Sequence, residues 1–438
     1  MLYEPAGYDA RQWPDSYWRA SCAPLPACLA LTGPCHADVV IIGAGYAGLN
    51  AALELVEQHG ADVVVLDAGQ PGWGASGRNG GFCCLGGARL SDRAIRRRFG
   101  AQAVTEWAGF ERDAIGRVRD NLGRYGIEAE PCEAGELLLA DSAHAWARMR
   151  AAPVQEGARL LDRDALRAEG LNTGTYSGGL YVPDGFGLHP YAYVTGLARA
   201  ALAAGVRLFG DSRAMALQPD GAGWRVDTAK GTVRARQVLI ATNGYSDEIL
   251  VPWLHRRILP AISNIMVTRP LAREELDAQG WTRGLMAYDK RVLLHYFRLL
   301  PDNRLLFGAR GGLSFEPGSV AAFAQRARAE FELVFPAFAD AQTEYSWNGL
   351  VCLTASLAPY IGPVPGAQGL WLALGWHGNG VAAASEGGRR AARTLMGNTS
   401  APPAITRRPP PRFALPRKWA LGAGMALAGL IDGPMRAV

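Results

Sequence analysis

Residues 37–67, ADVVIIGAGYAGLNAALELVEQHGADVVVLD, hold the pattern on which the reading of the whole chain turns. Residues 39–42 are an apolar, β-branched run of the kind buried on both faces of a parallel sheet. Gly43, Gly45 and Gly48 follow at GxGxxG spacing, and residues 49–56 continue with helical character. The three glycines differ in what they allow. Gly43 permits the turn, Gly45 lets a pyrophosphate approach the backbone, and Gly48 lets the helix lie close to the strand. A second apolar run, residues 63–66, ends in Asp67, about 20 residues beyond the last glycine, where a carboxylate can accept both hydroxyls of a ribose. The unit therefore calls for an adenine dinucleotide. In a chain with 54 glycines a lone GxGxxG would say little; strand before, helix after and acid at the right distance are what give it weight.

Outward from this unit, 438 residues exceed what one hydrophobic core usually holds, so two domains are expected. The net charge of +5 is small for that length, and the basic residues are scattered apart from Arg96, Arg97 and Arg98, which read as a solvated helix face. Nucleic acid is therefore not an expected partner. The start, MLYEPAGYDARQW, is acidic and aromatic where a secretory leader would be basic and then apolar, so the mature chain is expected to begin near Met1. Seven cysteines with no CxxC pair indicate neither a zinc site nor a disulfide framework, and a reducing cytoplasm suits them. Cys83 and Cys84 are expected to be buried free thiols, because a bond between neighbours is strained.

Residues 1–36, rich in proline and aromatics, read as an extended arm packed on the body. After Asp67 comes AGQPGWGASGRNGGFCCLGG, a glycine-rich loop that can bring backbone amides close to something flat or anionic. Residues 91–124 read as helical, 136–140 as a strand, 143–168 as helices broken by Pro153, and 191–204 as a helix. Short strands are predicted at 206–209, 214–217, 224–228, 233–235 and 238–240, the last leading into ATNGYSDE, where Thr242, Asn243 and Gly244 bring the chain back past the cofactor. Strands at 262–268, 292–299 and 304–309 and a helix at 320–335 follow. HYFRLLPDNRLLFGAR reads as a hairpin with its turn at Pro301, Asp302 and Asn303. Alternation puts Tyr296 and Arg298 on one face, where they could line a substrate cavity, or equally serve as ordinary strand residues. Residues 370–374 form an apolar strand, GWHGNG a glycine turn, and 381–395 a small-residue helix whose N-terminus suits a developing anion.

Taken together and in this order, ADVVIIGAGYAGLNAALEL, GASGRNGG, VLIATNGY, YFRLLPDNRLLFG and GWHGNGVAAASEGGR resemble the FAD-dependent D-amino-acid-oxidase and glycine-oxidase superfamily. Within it, the chain is most similar to the gamma-glutamylputrescine oxidase group, which takes in bacterial L-pipecolate oxidases. The likeness spans roughly residues 10–400. It implies an α/β chain, α+β overall: a Rossmann-like FAD-binding domain on a parallel sheet (37–90, 170–259 and 346–400) and a substrate domain on a mixed, antiparallel-rich sheet (91–169 and 260–345). The N-terminal arm (1–36) and a linker with an apolar helix (401–438) flank them.

The resemblance further implies that FAD is cradled by Gly43, Gly45, Tyr46, Ala47 and Gly48, with Asp67 at the adenosine ribose and Ala68 also at the cofactor. Ser76, Arg78, Asn79 and Gly80 would lie near the flavin, with Gly74, Ala75 and Gly81 also at the cofactor. Met215, Ala241, Thr242, Asn243 and Gly244 would complete the cofactor's surroundings, and Gly378, Asn379, Gly380 and Val381 would meet the pyrimidine end of the ring. The implied activity is oxidation of an amine or imino acid to an imine by hydride transfer to flavin N5. Tyr296, Arg310 and His377 are expected at the substrate, with Arg298 in reserve. Arg298 and Arg310, on adjacent strands of the hairpin, are expected to include a partner for a substrate carboxylate.

Two departures bear on the expected chemistry. Sarcosine oxidase relatives activate oxygen with a lysine on the strand matching residues 305–308, where this sequence is apolar, so either oxygen or a quinone could take the electrons. The same relatives attach FAD to a cysteine near Cys352, whose surroundings, WNGLVCLTAS, match loosely; a buried structural thiol is the alternative. A flavin-binding regulator without turnover is a further reading. At the C-terminus, residues 419–431 are apolar behind Arg417 and Lys418 but too short to cross a bilayer. They could lie peripherally on the inner face of a membrane or dock in a groove of their own domain.

Overall fold

The computed structural model describes residues 2–397 and 402–435. The β-branched run is the buried end of the strand Gly33–Ile42, flanked in parallel register by Val63–Leu66 on one side and Gly231–Ile240 on the other. Arg207–Phe209 extends this sheet beyond Val63–Leu66, and Leu370–Leu374 lies parallel to Gly231–Ile240 at the other side, followed by antiparallel Tyr360–Pro363. Burial on both faces is why these strands read as continuous Val, Ile and Leu. On one face the helix Tyr46–His59 packs on Gly380–Leu395 so closely that a Cβ on Gly388 would come 2.0 Å from the Ala47 carbonyl oxygen. The small residues AAASEGG in the second helix make that approach possible.

A second sheet runs in the order Thr343–Thr354, Ile258–Thr268, Leu305–Arg310, His295–Leu299, Met286–Asp289, Glu136–Ala140, Gly178–Val182, Arg159–Asp162. It is antiparallel except where Met286–Asp289 runs parallel to Glu136–Ala140. Strand alternation divides its faces. Phe297, Leu299, Leu305, Phe307 and Ala309 join Phe331, Val334 and Phe335 in a core beneath the helix Pro317–Val334. Leu138, Tyr288, Tyr296 and Arg310 emerge on the opposite face.

Several expectations change at this level. Gly178–Val182 and Thr343–Thr354 belong to the second sheet, so the boundary at 170 puts the first of these strands in the other domain and the boundary at 346 cuts through the second. Residues 143–168 are not wholly helical: the helix ends at Arg150, and Arg159–Asp162 pairs with Gly178–Val182. The segments 233–235 and 238–240 are one ten-residue strand, whose polar interruption at Arg236 is tied to Asp38 of the neighbouring strand at 2.6 Å. The hairpin turns as read, with Asn303 at φ +62°.

The N-terminal arm buries Tyr3, Tyr8, Tyr17 and Trp18, and Trp18 Nε1 donates to the Asn79 carbonyl at 2.8 Å. The C-terminal helix Arg417–Asp432 is docked. Leu421 and Ala428 are buried, Arg417 pairs with Glu248 at 2.9 Å, and the Asp432 carboxylate accepts the amides of Val292 and Leu293 at 2.8 Å each. Its other face leaves Trp419 74% and Leu430 82% exposed, beside exposed Leu427 and Ile431. Among the described residues no helix is long and apolar enough to cross a membrane.

Candidate active site

The glycine turn is held as tightly as its spacing demands. Gly43 sits at φ +112°, a conformation side chains disfavour. A Cβ on Gly48 would lie 1.9 Å from the Gly43 carbonyl oxygen, and one on Gly45 2.8 Å from Ser76 Oγ. Asp67 stands beside the turn, Oδ2 accepting the Ala44 amide at 2.7 Å and Oδ1 that of Gly69 at 2.9 Å, and burial raises its pKa. An elongated cavity of about 190 Å³ runs along these residues, bordered by Gly43, Gly45, Tyr46, Ala47, Asp67, Ala68, Gly74, Ala75, Ser76, Asn79, Ala241, Thr242 and Asn243.

Four residues expected at the cofactor border neither this cavity nor the adjoining one described below. Gly48 acts through close packing, as above. Gly244 packs on Leu350, and Gly81, at φ +75°, lies against the Leu188 carbonyl. Met215 is 61% exposed; Arg213 and Ala214 border the cavity in its place, since the Met215 amide is bonded across to the Asp227 carbonyl and its side chain faces away.

A second cavity, of about 380 Å³, shares Ala75, Asn79, Leu350, Val351, Gly378 and Gly380 with the first, so the two meet at the N-terminus of the helix Gly380–Leu395. Arg78, Gly80, Asn379 and Val381 stand at this junction. Arg78 is held by the Trp73 carbonyl at 2.7 Å and lies over the Trp73 ring. Asn379 Nδ2 donates to the Cys84 carbonyl at 2.7 Å.

Of the four side chains expected at the substrate, Tyr296, Arg310 and His377 border this cavity and Arg298 does not. Tyr296 shares a 3.0 Å hydrogen bond with Ser263, and its ring lies so close to Gly308 that a Cβ there would be 2.1 Å away. Burial pushes its phenol up to about 12, so it stays neutral. His377, at φ +52°, is bonded through Nε2 to Thr354 at 3.1 Å. Burial, followed by the field of Arg89, pushes its pKa down to about 3. A neutral imidazole is a hydrogen-bonding group here and not an acid near pH 7. Arg298 is 2% exposed, donating to the carbonyls of Gly80 at 3.0 Å and Leu188 at 2.6 Å. It shares a strand face with Tyr296, as alternation requires, but the glycine loop lies across that face and keeps it from the cavity. The expectation of Arg298 as a reserve residue at the substrate is corrected accordingly: Arg298 is opposite Leu306, whereas Arg310 lies at the far end of its strand.

Arg310 is enclosed, and burial followed by repulsion from Arg89 pushes its pKa down to about 9. Arg310 Nε, His377 Nδ1 and Asn379 Oδ1 are all buried without a partner among the described residues. Buried polar atoms are rarely left so, and three around one cavity call for a ligand that satisfies them. The sequence reading missed Arg89 and Lys290, which border the cavity and reach solvent, and Tyr288 and Asp289 on the strand MAYD. Asp289 is already committed to His295 Nδ1 at 2.9 Å and the Tyr176 hydroxyl at 3.1 Å, leaving a cavity with free positive charge. Cys352 borders the cofactor-side cavity, and burial pushes its thiol up to about 12, as suits a structural thiol.

A family model described as FAD dependent oxidoreductase (DAO) matches residues 38–394. The chain is 32% identical over 373 residues to the probable oxidoreductase OrdL of Haemophilus influenzae, covering 83% of this chain and 84% of the relative. It is 29% identical over 393 residues to gamma-glutamylputrescine oxidoreductase of Escherichia coli, covering 88% and 89%. The crystal structure of glycine oxidase from Geobacillus kaustophilus superposes with a TM-score of 0.68 at 22% identity, over 85% of this chain and 98% of the other.

Proposed function

Because the chain belongs to the DAO family of FAD-dependent oxidoreductases, we propose that it oxidises the carbon–nitrogen bond of an amine that also bears a carboxylate, of the L-pipecolate or gamma-glutamylputrescine type. The observation that carries this reading is Arg310, an enclosed guanidinium with an unpartnered Nε, in the cavity that joins the glycine-turn cavity.

The residues present fit the cofactor. The turn of Gly43, Gly45 and Gly48 and the Asp67 carboxylate would receive its pyrophosphate and ribose, while Ser76, Arg78, Asn79 and Gly80 would lie toward the flavin. The free amides at the start of the helix Gly380–Leu395, behind Asn379, favour negative charge at the junction. Bound there, FAD supplies the acceptor for the hydride that leaves the carbon beside nitrogen. Arg310 holds the substrate carboxylate by a charge-assisted, bidentate pair. Tyr296 and neutral His377 orient the amine with hydrogen bonds, and the apolar walls at Phe82, Leu138 and Ile265 keep water from it. The imine product then hydrolyses or, from a ring, remains cyclic.

Oxygen is the electron acceptor in this reading, with hydrogen peroxide as product. With L-pipecolate and γ-glutamylputrescine as trial substrates in air, oxygen uptake should equal imine formation. Flavin that bleaches without oxygen uptake and recolours only with a quinone would replace oxidase by dehydrogenase; no bleaching with any amine would leave a regulator.

The outward face of the C-terminal helix favours a membrane contact as well. Trp419, Leu427, Leu430 and Ile431 are exposed apolar residues, and Arg407, Arg408, Arg412 and Lys418 are exposed cations nearby, with no acid between residues 401 and 431. Such a face suits weak, reversible binding to anionic lipid. Vesicles of phosphatidylglycerol should pellet the protein and those of phosphatidylcholine should not. Serine at all four apolar positions should abolish the effect; an unchanged pellet fraction would discard the contact.

A further inference from the structure

Glu136 begins the strand next to Met286–Asp289 and is 1% exposed. Its Oε2 accepts a 2.7 Å hydrogen bond from the hydroxyl of Tyr288, a residue that borders the substrate cavity, and its Oε1 accepts the Leu85 amide at 3.1 Å. No cation pairs with it among the described residues. A buried carboxylate without a counter-ion is costly, and it is the kind of group that takes up a proton easily.

We propose that Tyr288 and Glu136 carry away the proton that the substrate amine must lose, which rests on the amine reading given above. An amine with an aqueous pKa of roughly 10 enters as a cation, and its carbon gives up hydride only when the nitrogen lone pair is free. In the relay, one ammonium N–H bond breaks as Tyr288 Oη gains that proton. The original Oη–H bond breaks as Glu136 Oε2 gains the other. The amine is left neutral, Tyr288 is unchanged and Glu136 is a carboxylic acid, with nothing oxidised or reduced in the step.

The surroundings support this direction of transfer. Burial, followed by the opposing bonds from Tyr288 and Leu85, sets the Glu136 pKa at about 7. Asp184 on a neighbouring element adds negative charge that also favours its protonated form. Glu111 nearby is itself pushed up to about 7, by burial and then by the charge of Glu136, and Cys84 beside it stays a thiol. On the cavity side Arg89, Lys290 and Arg310 all disfavour an ammonium ion, and His377 is neutral. Glu136 can accept a proton above about pH 7 and is already protonated below it. The relay therefore opens as pH rises through that value. Tyr288 is the catalytic residue, and Glu136 acts through it.

The test is anaerobic stopped-flow reduction of the FAD-loaded enzyme by L-pipecolate and by γ-glutamylputrescine between pH 6 and 10.5. Wild type should show a rise in rate near pH 7. Glu136→Gln should lose that rise and reduce at least tenfold more slowly at pH 7.5, yet approach wild type within about twofold at pH 10.5, where the free amine is neutral. Tyr288→Phe, which keeps the ring, should behave alike and serves if Glu136→Gln does not fold. A rate loss equal at all pH values, or none, would overturn the relay. A higher KM at every pH with an unmoved profile would make Glu136 a binding residue and overturn it too. Wild type that neither substrate bleaches would instead fail the amine reading.

Discussion

Gly45→Val should yield a folded but colourless protein, whereas the unaltered chain should be yellow and release FAD, not FMN, on acid precipitation. Gly45 has φ −93°, which valine adopts, so the backbone is not strained by the change. Its new Cβ would meet Ser76 Oγ, a side chain that can turn aside, and its methyl groups would enter the cavity where a pyrophosphate would approach. Gly43 and Gly48 would be poorer choices. The first needs a positive φ and the second would drive a Cβ into backbone, so either substitution disturbs the fold along with the site. Thermal melting together with the visible spectrum separates the outcomes. If Gly45→Val carries FAD in stoichiometric amount, the role given to this turn is wrong.

The second large effect is expected at Arg310. Arg310→Met keeps length and removes charge, so a substrate carboxylate loses a charge-assisted pair of about 2 to 3 kcal/mol. That is an increase in KM of about 30- to 150-fold for an acidic amine, and little change for the corresponding amine lacking a carboxylate. Arg298→Met should behave differently. It strips donors from the Gly80 and Leu188 carbonyls inside the protein, so it should lower the melting temperature. An unchanged KM in Arg310→Met would remove the carboxylate from the substrate description.

What was legible in the sequence was whatever local rules dictate. The glycine turn with Asp67, the hairpin about Asn303 and the strand–turn–helix ending in Gly380–Leu395 each follow from a few adjacent residues whose conformations leave little choice. Alternation gave the face of Tyr296, whereas Arg310 could be picked out only through the family resemblance. Arg298 shows where alternation stops helping: it gives the face, but a glycine loop 218 residues away in sequence decides which part of that face is open. Met215 shows the same limit from the other side, since the segment named from the resemblance borders the cavity along the glycine turn through Arg213 and Ala214 and not through Met215.

Tyr288 and Glu136 were out of reach for a different reason. The parallel pairing of Met286–Asp289 with Glu136–Ala140 joins segments about 150 residues apart and puts a phenol against a carboxylate. Neither MAYD nor ELLLA carries a signal of that partnership. Arg89 lay at the end of the glycine-rich loop, where a single basic residue has no spacing to distinguish it from a solvated one. Its meaning comes only from the cavity that Arg310 and Lys290 share with it.

An amine bearing a carboxylate should give its electrons to the bound FAD at far lower concentration than an amine without one. Anaerobic titration of the yellow protein, followed at its visible absorption band, tests this with L-pipecolate and γ-glutamylputrescine against piperidine and putrescine, which lack the carboxylate. Complete bleaching is expected from at least one of the first pair at concentrations that leave the second pair without effect. Bleaching by the carboxylate-free amines alone, or by none of the four, would contradict the proposed reaction.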